Sequence, residues 1–188
     1  MDYFEEQKFK KLHEQGKGLE KGRYESCTFV ECDFGESDLS EIRFSDCRFI
    51  ECNLSNASLN LCALQEVHFE HCKLLGIRFD ECKPLAFGVS FAHCLLDHSS
   101  FHALPMQSTR FSHCRLHGVD FAATDLREAR FDDCDLRDAL FEDTQLQKAS
   151  FVTASNYIIH PERNKIKEAH FSQSGLHGLL MPYGIKVV

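Results

Sequence analysis

The stretch from residue 27 to residue 39 reads Cys27-Thr28-Phe29-Val30-Glu31-Cys32-Asp33-Phe34-Gly35-Glu36-Ser37-Asp38-Leu39. Every fifth residue in it is phenylalanine or leucine, and the residue two positions earlier is small. The same phase holds as far as Cys82-Lys83-Pro84, resumes two residues late at Val89-Ser90-Phe91, and continues to Ala149-Ser150-Phe151. Neither the period of 3.6 of a helix nor the period of two of a half-buried strand explains this spacing. The pattern therefore indicates an internal repeat of five residues.

These triplets resemble the motif of the pentapeptide-repeat family, in which a small residue, aspartate or asparagine, leucine or phenylalanine, and two variable residues follow one another. The resemblance extends over residues 24–151, about two-thirds of the chain. It implies an all-β solenoid, a right-handed quadrilateral parallel β-helix with four pentapeptides in each coil. The large apolar residue and the small residue would point inward, and the other three residues outward. We therefore expect a rod of about six coils.

The spacing of residues between coils offers an independent check. If four pentapeptides close a coil, residues 20 apart stack in one inward column, with one step of 22 at the two-residue slip. Two of the columns are uniform in residue type, since one contains only phenylalanine and its neighbour only cysteine. A further column is apolar but mixed, and contains Phe44, Leu64, Pro84 and Met106. The predicted core ladder consists of Phe29, Phe49, Phe69, Phe91, Phe111, Phe131, Phe151, Cys32, Cys52, Cys72, Cys94, Cys114 and Cys134.

The repeat divides a single predicted solenoid domain into consecutive segments. Residues 1–23 match the motif poorly and are predicted to form an N-terminal cap over the open strand edges. Pro161 suits the first position of a helix, which would run to about Lys167. The remaining segments are a first array at 24–84, a bulge region at 85–90, a second array at 91–151 and a C-terminal cap with a dimerisation tail at 152–188.

Composition excludes several classes of function. The chain has 188 residues and a formal net charge of −8, and so lacks the Lys/Arg excess that direct nucleic-acid binding requires. It contains no apolar run of the length that a membrane helix needs, so we expect no membrane association. The N-terminus resembles no export signal, and we therefore expect a cytoplasmic protein in which the ten cysteines stay reduced.

The cysteines and histidines are the residues most suggestive of chemistry. The closest spacing between cysteines is five, whereas zinc ligands come in closer pairs, so we interpret the thiols as small apolar core residues and expect no metal or cofactor. His71, His93 and His113 fall in one outward column, and are interpreted as solvated surface residues or as a weak metal-binding or pH-sensitive patch. No catalytic motif occurs, and we expect no enzymatic activity.

Acidic residues are concentrated in two bands. Residues 24–60 carry eight acidic against two basic side chains, and residues 125–143 carry eight against three. This charge either serves solubility alone or presents the rod to a basic groove of a protein partner. The candidate interaction surface consists of Glu31, Glu36, Glu41, Asp46, Glu51, Asp133, Asp138 and Asp143.

The last segment of the chain, residues 179–188, is so apolar that we expect it to be buried against other residues. It either closes the last coil or pairs two copies of the chain as a homodimer. The candidate dimerisation residues are Leu179, Leu180, Met181, Tyr183 and Ile185.

The acidity and the apolar terminus are similar to those of the quinolone-resistance (Qnr) proteins and the mycobacterial MfpA type within the family. What that resemblance implies is a dimeric DNA mimic that binds DNA gyrase or topoisomerase IV. The chain departs from the Qnr pattern because it lacks a long loop projecting from the coils, and because Pro182 and Gly184 would interrupt a C-terminal helix. The alternative is a structural scaffold for another protein partner, with no topoisomerase role.

Overall fold

A computed structural model describes residues 2–13 and 19–185 of the chain. Parts of the predicted N-terminal cap, residues 1 and 14–18, and of the predicted dimerisation tail, residues 186–188, lie outside the described residues. The structure is a parallel β-solenoid of about eight turns that ends in a short helix. The solenoid class predicted from the repeat is therefore confirmed.

Two walls of the solenoid form regular parallel sheets within the described residues. The strands are β1 (Asp2–Glu5), β2 (Lys8–Lys10), β3 (Gly22–Glu25), β4 (Thr28–Val30), β5 (Arg43–Ser45), β6 (Arg48–Ile50), β7 (Ala63–Gln65), β8 (Val67–Glu70), β9 (Val89–Ala92), β10 (Arg110–Ser112), β11 (Arg130–Asp132), β12 (Ser150–Phe151) and β13 (His170–Phe171). The four-stranded sheet has the order β1-β3-β5-β7, and the nine-stranded sheet has the order β13-β12-β11-β10-β9-β8-β6-β4-β2. Isolated parallel bridges, such as Asp33↔Asn53 and Asp38↔Ser58, hold the other two walls.

The strands are short because the backbone turns a corner in every pentapeptide. The second residue after most core phenylalanines and leucines has a positive φ, between 51° at Asp133 and 67° at Gly76, with Glu81 and Thr153 as exceptions. This left-handed conformation costs a residue other than glycine on the order of 1 kcal/mol. We call these positions the corner residues. Their strain is a property of every coil, and it does not mark any one of them as functional.

The predicted core ladder lies inside the solenoid. All thirteen of its residues are buried, and the rings from Phe29 to Phe151 stack in line with centroids 4.6–5.3 Å apart. Rings of adjacent walls meet edge to face, as at Phe111 and Phe121. Stacked and edge-to-face contacts both suit the aromatic quadrupole, so each coil presents the next with a complementary surface.

Cysteine and threonine at the small inward position donate hydrogen bonds to backbone carbonyls of the neighbouring coil. The Cys72 thiol donates to the carbonyl of Phe49 at 3.3 Å, and the Thr124 hydroxyl donates to the carbonyl of Phe101 at 2.8 Å. Each of these bonds reaches down to the coil below and satisfies a buried backbone oxygen. Cysteine and threonine therefore serve the same structural purpose at this position.

The two-residue slip is confined to one wall. Lys83 N–H still donates to Cys62 O at 2.8 Å, whereas Val67 pairs with Val89, 22 residues later, and the spacing has returned to 20 where Phe91 pairs with Phe111. The prediction that Pro84 fills the inward column is wrong, because Pro84 is exposed and Phe87 is buried instead. The two extra residues lift the chain off the wall at Leu85 and Ala86, and the ring of Phe87 restores the core.

The solenoid begins inside the segment predicted to be only a cap. Strand β1 pairs with β3, strand β2 pairs with β4, and Phe9 stacks on Phe29 at 4.9 Å. Residues 2–13 therefore add a coil to the six expected. The sequence motif misses this coil because Asp2 and Gln7, rather than small residues, precede its two phenylalanines.

The solenoid also continues beyond residue 151, and the helix predicted from Pro161 to about Lys167 is wrong. Residues 161–163 form a turn, and the buried Asn164 holds the chain against the coil below: its side-chain amide donates to the carbonyls of Phe141 and His160 at 3.0 Å. Strand β13 then pairs with β12, and Phe171 stacks on Phe151 at 5.3 Å. The helical elements come later, as α1 (His177–Leu180) flanked by 3₁₀ turns at Gln173–Gly175 and Met181–Tyr183, and a further 3₁₀ turn lies at Phe79–Glu81.

Candidate interaction surfaces

The first acidic group encircles the rod instead of lining one wall. Its members are all corner residues with φ between 52° and 64°, and we call them the first acidic ring: Glu31, Glu36, Glu41, Asp46 and Glu51. Four of them take the four corners of one coil, and Glu51 lies one coil above Glu31. Because corner side chains point away from the core, the carboxylates spread in four directions.

Among the described residues, Glu31 is the one carboxylate of the first acidic ring that forms ion pairs. Glu31 lies 3.4 Å from the ammonium groups of both Lys10 and Lys11, and the hydrogen bond from Lys11 lowers the pKa of Glu31. The other four carboxylates are exposed and form no ion pair with any described residue. They are free to meet a positively charged partner.

The second acidic group repeats this arrangement near the other end of the rod. We call Asp133, Asp138 and Asp143 the second acidic ring, and these corner residues have φ between 51° and 58°. Asp133 lies 3.7 Å from His113, whereas Asp138 and Asp143 have no ion-pair partner within residues 2–13 and 19–185. The structure thus places the eight predicted surface carboxylates on two rings.

The part of the rod between the rings is close to neutral, since residues 52–132 carry nine acidic and seven basic side chains, and several of these charges pair; we call it the neutral part. Arg115 lies 2.6 Å from Asp97, and Arg127 lies 2.7 Å from Asp125. The Arg127 guanidinium holds the pKa of Asp125 below its usual range. Such paired carboxylates have little charge left to offer a partner.

The outward histidine column forms a regular stack on this neutral part. The rings of His71 and His93 lie 4.6 Å apart, and those of His93 and His113 lie 4.8 Å apart, almost parallel. The neighbouring Cys72, Cys94 and Cys114 point into the core. Across the described part of the chain, no three histidine, cysteine, aspartate or glutamate side chains are arranged to hold a metal ion.

The cysteines are buried and form no disulfide. All ten are free thiols, as expected for core residues. Burial raises the pKa of Cys47 and of Cys62 to about 12, so these thiols are protonated at neutral pH. A buried, protonated thiol is a poor nucleophile, so Cys47 and Cys62 are not expected to be reactive.

The C-terminal end exposes apolar side chains, with Met181, Tyr183 and Ile185 exposed and Leu179 and Leu180 half-buried. Met181 borders two shallow grooves of about 620 Å³ and 450 Å³, one between the turns after Gln173 and one against Leu140 and Ile158. Gly178 lets the helix approach Tyr157 closely, since an added Cβ would overlap the Tyr157 carbonyl. The C-terminal helix thus packs against Tyr157 on one side and exposes apolar side chains to solvent on the other.

The sequence analysis missed one further feature, on the wall of the four-stranded sheet. Arg23, Arg43 and Lys83 line a groove of about 270 Å³ beside Leu85, whose side chain is 89% exposed. Arg43 lies 20 residues after Arg23 and Lys83 lies 40 residues after Arg43, with Ala63 at the intervening position of the same outward column. The same interval that revealed the core columns would have revealed this outward column.

Comparisons with known proteins place the chain in a class. The stacked five-residue repeats define a β-solenoid, and the family described as "Pentapeptide repeat region" matches residues 23–85 and 78–151. Since these matches cover more than half of the sequence, the chain belongs to the pentapeptide repeat family. A search of curated proteins found no match.

One solved structure shows the same fold, and a second pentapeptide repeat protein is a more distant match. A trypsin-treated variant of QnrB1, a plasmid-mediated fluoroquinolone resistance protein, is 14% identical, with a TM-score of 0.67 over 97% of this chain and 99% of that chain. HetL, a pentapeptide repeat protein involved in heterocyst differentiation regulation in the cyanobacterium Nostoc, is 15% identical, with a TM-score of 0.38 over 92% of this chain and 90% of that chain. At 14% identity, the likeness to QnrB1 shows the fold alone. No helix in the described residues is long and apolar enough to cross a membrane.

Proposed function

We propose that this protein is a non-catalytic interaction module whose acidic rings bind a basic groove of a protein partner, and that the DNA-binding groove of DNA gyrase or topoisomerase IV is such a groove. The observation that carries the proposal is the set of unpaired carboxylates at Glu36, Glu41, Asp46 and Glu51. Elsewhere on the rod, carboxylates such as Asp97 and Asp125 are held by arginine.

The shape of the rod supports this proposal. A groove that binds duplex DNA is lined with lysine and arginine spaced to meet phosphates around a rod. A ring of carboxylates at the corners of a coil can meet such a groove from several sides at once. QnrB1, which shares the fold, is by its description a fluoroquinolone resistance protein, and this agrees with a topoisomerase as the partner.

The test is the affinity of the purified protein for immobilised gyrase, measured by biolayer interferometry. The variant is the double substitution Glu36→Gln and Glu41→Gln, and the matched control is Glu66→Gln with Glu168→Gln. All four are corner glutamates, with φ of 58° and 64° in the variant and 52° and 60° in the control. Backbone strain and the change in net charge are therefore the same in both proteins.

We expect the ring variant to bind about tenfold more weakly and the control to bind like the wild type. Equal losses in both proteins would mean that net charge alone governs the interaction, and would overturn the role of the ring. A wild-type protein that neither binds gyrase nor changes its supercoiling activity, with or without a quinolone, would refute a topoisomerase as the partner. Binding that survives in both doubles would instead support the alternative, a scaffold that docks through a wall of the solenoid.

A further inference from the structure

The groove beside Leu85 has a structural origin in the two-residue slip. Arg23 pairs with Arg43 across β3 and β5, Arg43 pairs with Ala63 across β5 and β7, and Lys83 follows one coil later. The four-stranded sheet ends at β7, because the inserted residues leave the wall there. We call the groove lined by Arg23, Arg43, Lys83 and Leu85 the basic notch.

The insertion also leaves backbone groups without partners. The corner N–H of Asp46 donates to the carbonyl of Gln65 at 3.0 Å, but the equivalent N–H of Glu66 donates to no described atom. In the next coil the corresponding wall position is Pro105, which has no N–H to offer the carbonyl of Cys82. The wall is therefore interrupted at the basic notch.

The cations of the basic notch are also largely uncompensated. Arg43 and Lys83 form no ion pair with any residue in the described ranges, and Arg23 only approaches Glu25, at 3.8 Å. This contrasts with the arginines of the neutral part, which contact carboxylates at 2.6–2.7 Å. In a chain of net charge −8, unpaired cations on one wall are complementary to an anionic partner.

Leu85 supplies the second half of the surface. It is 89% exposed, whereas the other exposed large apolar residues reach at most 52%. The slip raises this side chain above the wall directly beside the cations. Covering an isolated, exposed leucine with apolar atoms of a partner lowers the free energy of the complex, because the apolar surface is removed from water.

We propose that the basic notch binds an acidic, extended segment of a partner protein. The carboxylates of the segment pair with Arg43 and Lys83, and an apolar side chain of the segment covers Leu85. A peptide fits this surface because it can place acidic and apolar side chains within a few ångströms of each other. The inference is independent of the proposed function, since it uses cations on one wall and not the carboxylates at the corners.

The probe is a fluorescein-labelled peptide of alternating glutamate and leucine, and binding to the full chain is followed by fluorescence anisotropy at low salt. The test variant is Arg43→Gln with Lys83→Gln. The matched control is Lys165→Gln with Lys167→Gln, which removes the same charge from the same wall, because Lys165 extends the outward column of Gln145. We expect binding by the test variant to be about tenfold weaker and binding by the control to be within about twofold of the wild type.

Leu85→Ser separates the apolar contribution from the charge. It should weaken binding of the glutamate–leucine peptide, and leave binding of a glutamate–serine peptide unchanged. Leu85 and Arg43 are exposed, so these variants should keep the thermal midpoint of the wild type. Equal losses in the test and control doubles, no binding of the acidic peptide to the wild type, or tighter binding of a single-stranded oligonucleotide than of the peptide would each overturn the proposal.

Discussion

Phe69 and Phe91 stack face to face with ring centroids 5.3 Å apart, although they are two residues further apart in the chain than any other neighbouring pair of their column. The extra residues are accommodated on the adjacent wall, at Leu85 and Ala86, where the side chains face solvent. The aromatic column is therefore continuous through the slip. An irregularity that would break a core is tolerated because it lies at the surface.

The continuity of this column predicts the cost of interrupting it. Phe111 is fully buried and stacks on Phe91 at 5.2 Å and on Phe131 at 5.0 Å. Replacing it with alanine leaves a cavity between two coils, and should lower the free energy of unfolding by about 3–5 kcal/mol. Denaturant unfolding followed by circular dichroism measures this loss. Ser112→Ala, in the same strand but facing outward, should change it by less than about 0.5 kcal/mol; a similar loss in both variants would contradict the column.

The 20-residue interval was enough to predict the solenoid and the partners of nearly every core residue, because stacked coils require like residues above one another. The interval could not predict that Phe87 takes the core position expected for Pro84. A step of 22 shows that two residues are inserted, but it does not show which residues leave the sheet. The motif also does not mark the coil formed by Asp2–Glu5 and Lys8–Lys10. Phe4, Phe9 and Leu12 of this segment pack against the core, but the small residues that mark the motif elsewhere are absent.

The buried thiols predict a loss of stability at alkaline pH. The pKa of Cys62 is raised by burial to about 12 in the folded protein, whereas an exposed thiol titrates near pH 8.5. Above that pH the unfolded chain loses this proton while the folded chain keeps it, so the free energy of unfolding falls as pH rises towards 12. Unfolding in urea with reductant at pH 7, 9 and 10 measures the slope.

Cys62→Ala supplies the comparison for that experiment, because it removes one of the retained protons. Its stability should fall less steeply than that of the wild type between pH 9 and pH 10. Parallel pH profiles for the two proteins would mean that Cys62 ionises freely in the folded state, and would contradict its burial in the core.

The corner conformation predicts a gain in stability from glycine. Glu41 has a φ of 64° and no ion pair with a described residue, so its side chain contributes strain without a compensating contact. Glu41→Gly should raise the free energy of unfolding by several tenths of a kcal/mol to about 1 kcal/mol, as relief of the left-handed strain exceeds the entropy gained by the unfolded chain. Differential scanning calorimetry measures the shift in the thermal midpoint.

Glu41→Val is the opposite test at the same position. A β-branched residue is disfavoured at positive φ, so this variant should be less stable than the wild type. If glycine lowered the midpoint and valine raised it, the corner assignment would be wrong. A stabilised Glu41→Gly protein that binds its partner less well would also separate the structural from the interaction role of the first acidic ring.

The phase of the repeat was enough to predict that these acidic residues lie at corners. It was not enough to predict which of their carboxylates form ion pairs. Glu31 is neutralised by Lys10 and Lys11, which lie in the coil that the motif does not reveal. Lys21 lies 20 residues before Glu41, but its ammonium group pairs with Asp38 at 3.1 Å and leaves Glu41 without an ion pair among the described residues. Pairing across coils depends on which side chains the stacking brings together, and this becomes visible only when the first coil is in place.

The apolar C-terminal end predicts a homodimer. Met181 and Ile185 are 51% and 52% exposed beside a shallow groove, and an apolar surface at the end of an open solenoid gains free energy when a second copy covers it. Met181→Asp with Ile185→Asp places charge in the contact and should give a monomer. Leu61→Asp is the control, because Leu61 is 49% exposed on a corner far along the chain, and it should leave the dimer intact. Sedimentation equilibrium at tens of micromolar measures the mass of each protein: a monomeric wild type, or a dimer disrupted equally by Leu61→Asp, would show that the C-terminal end does not join two copies.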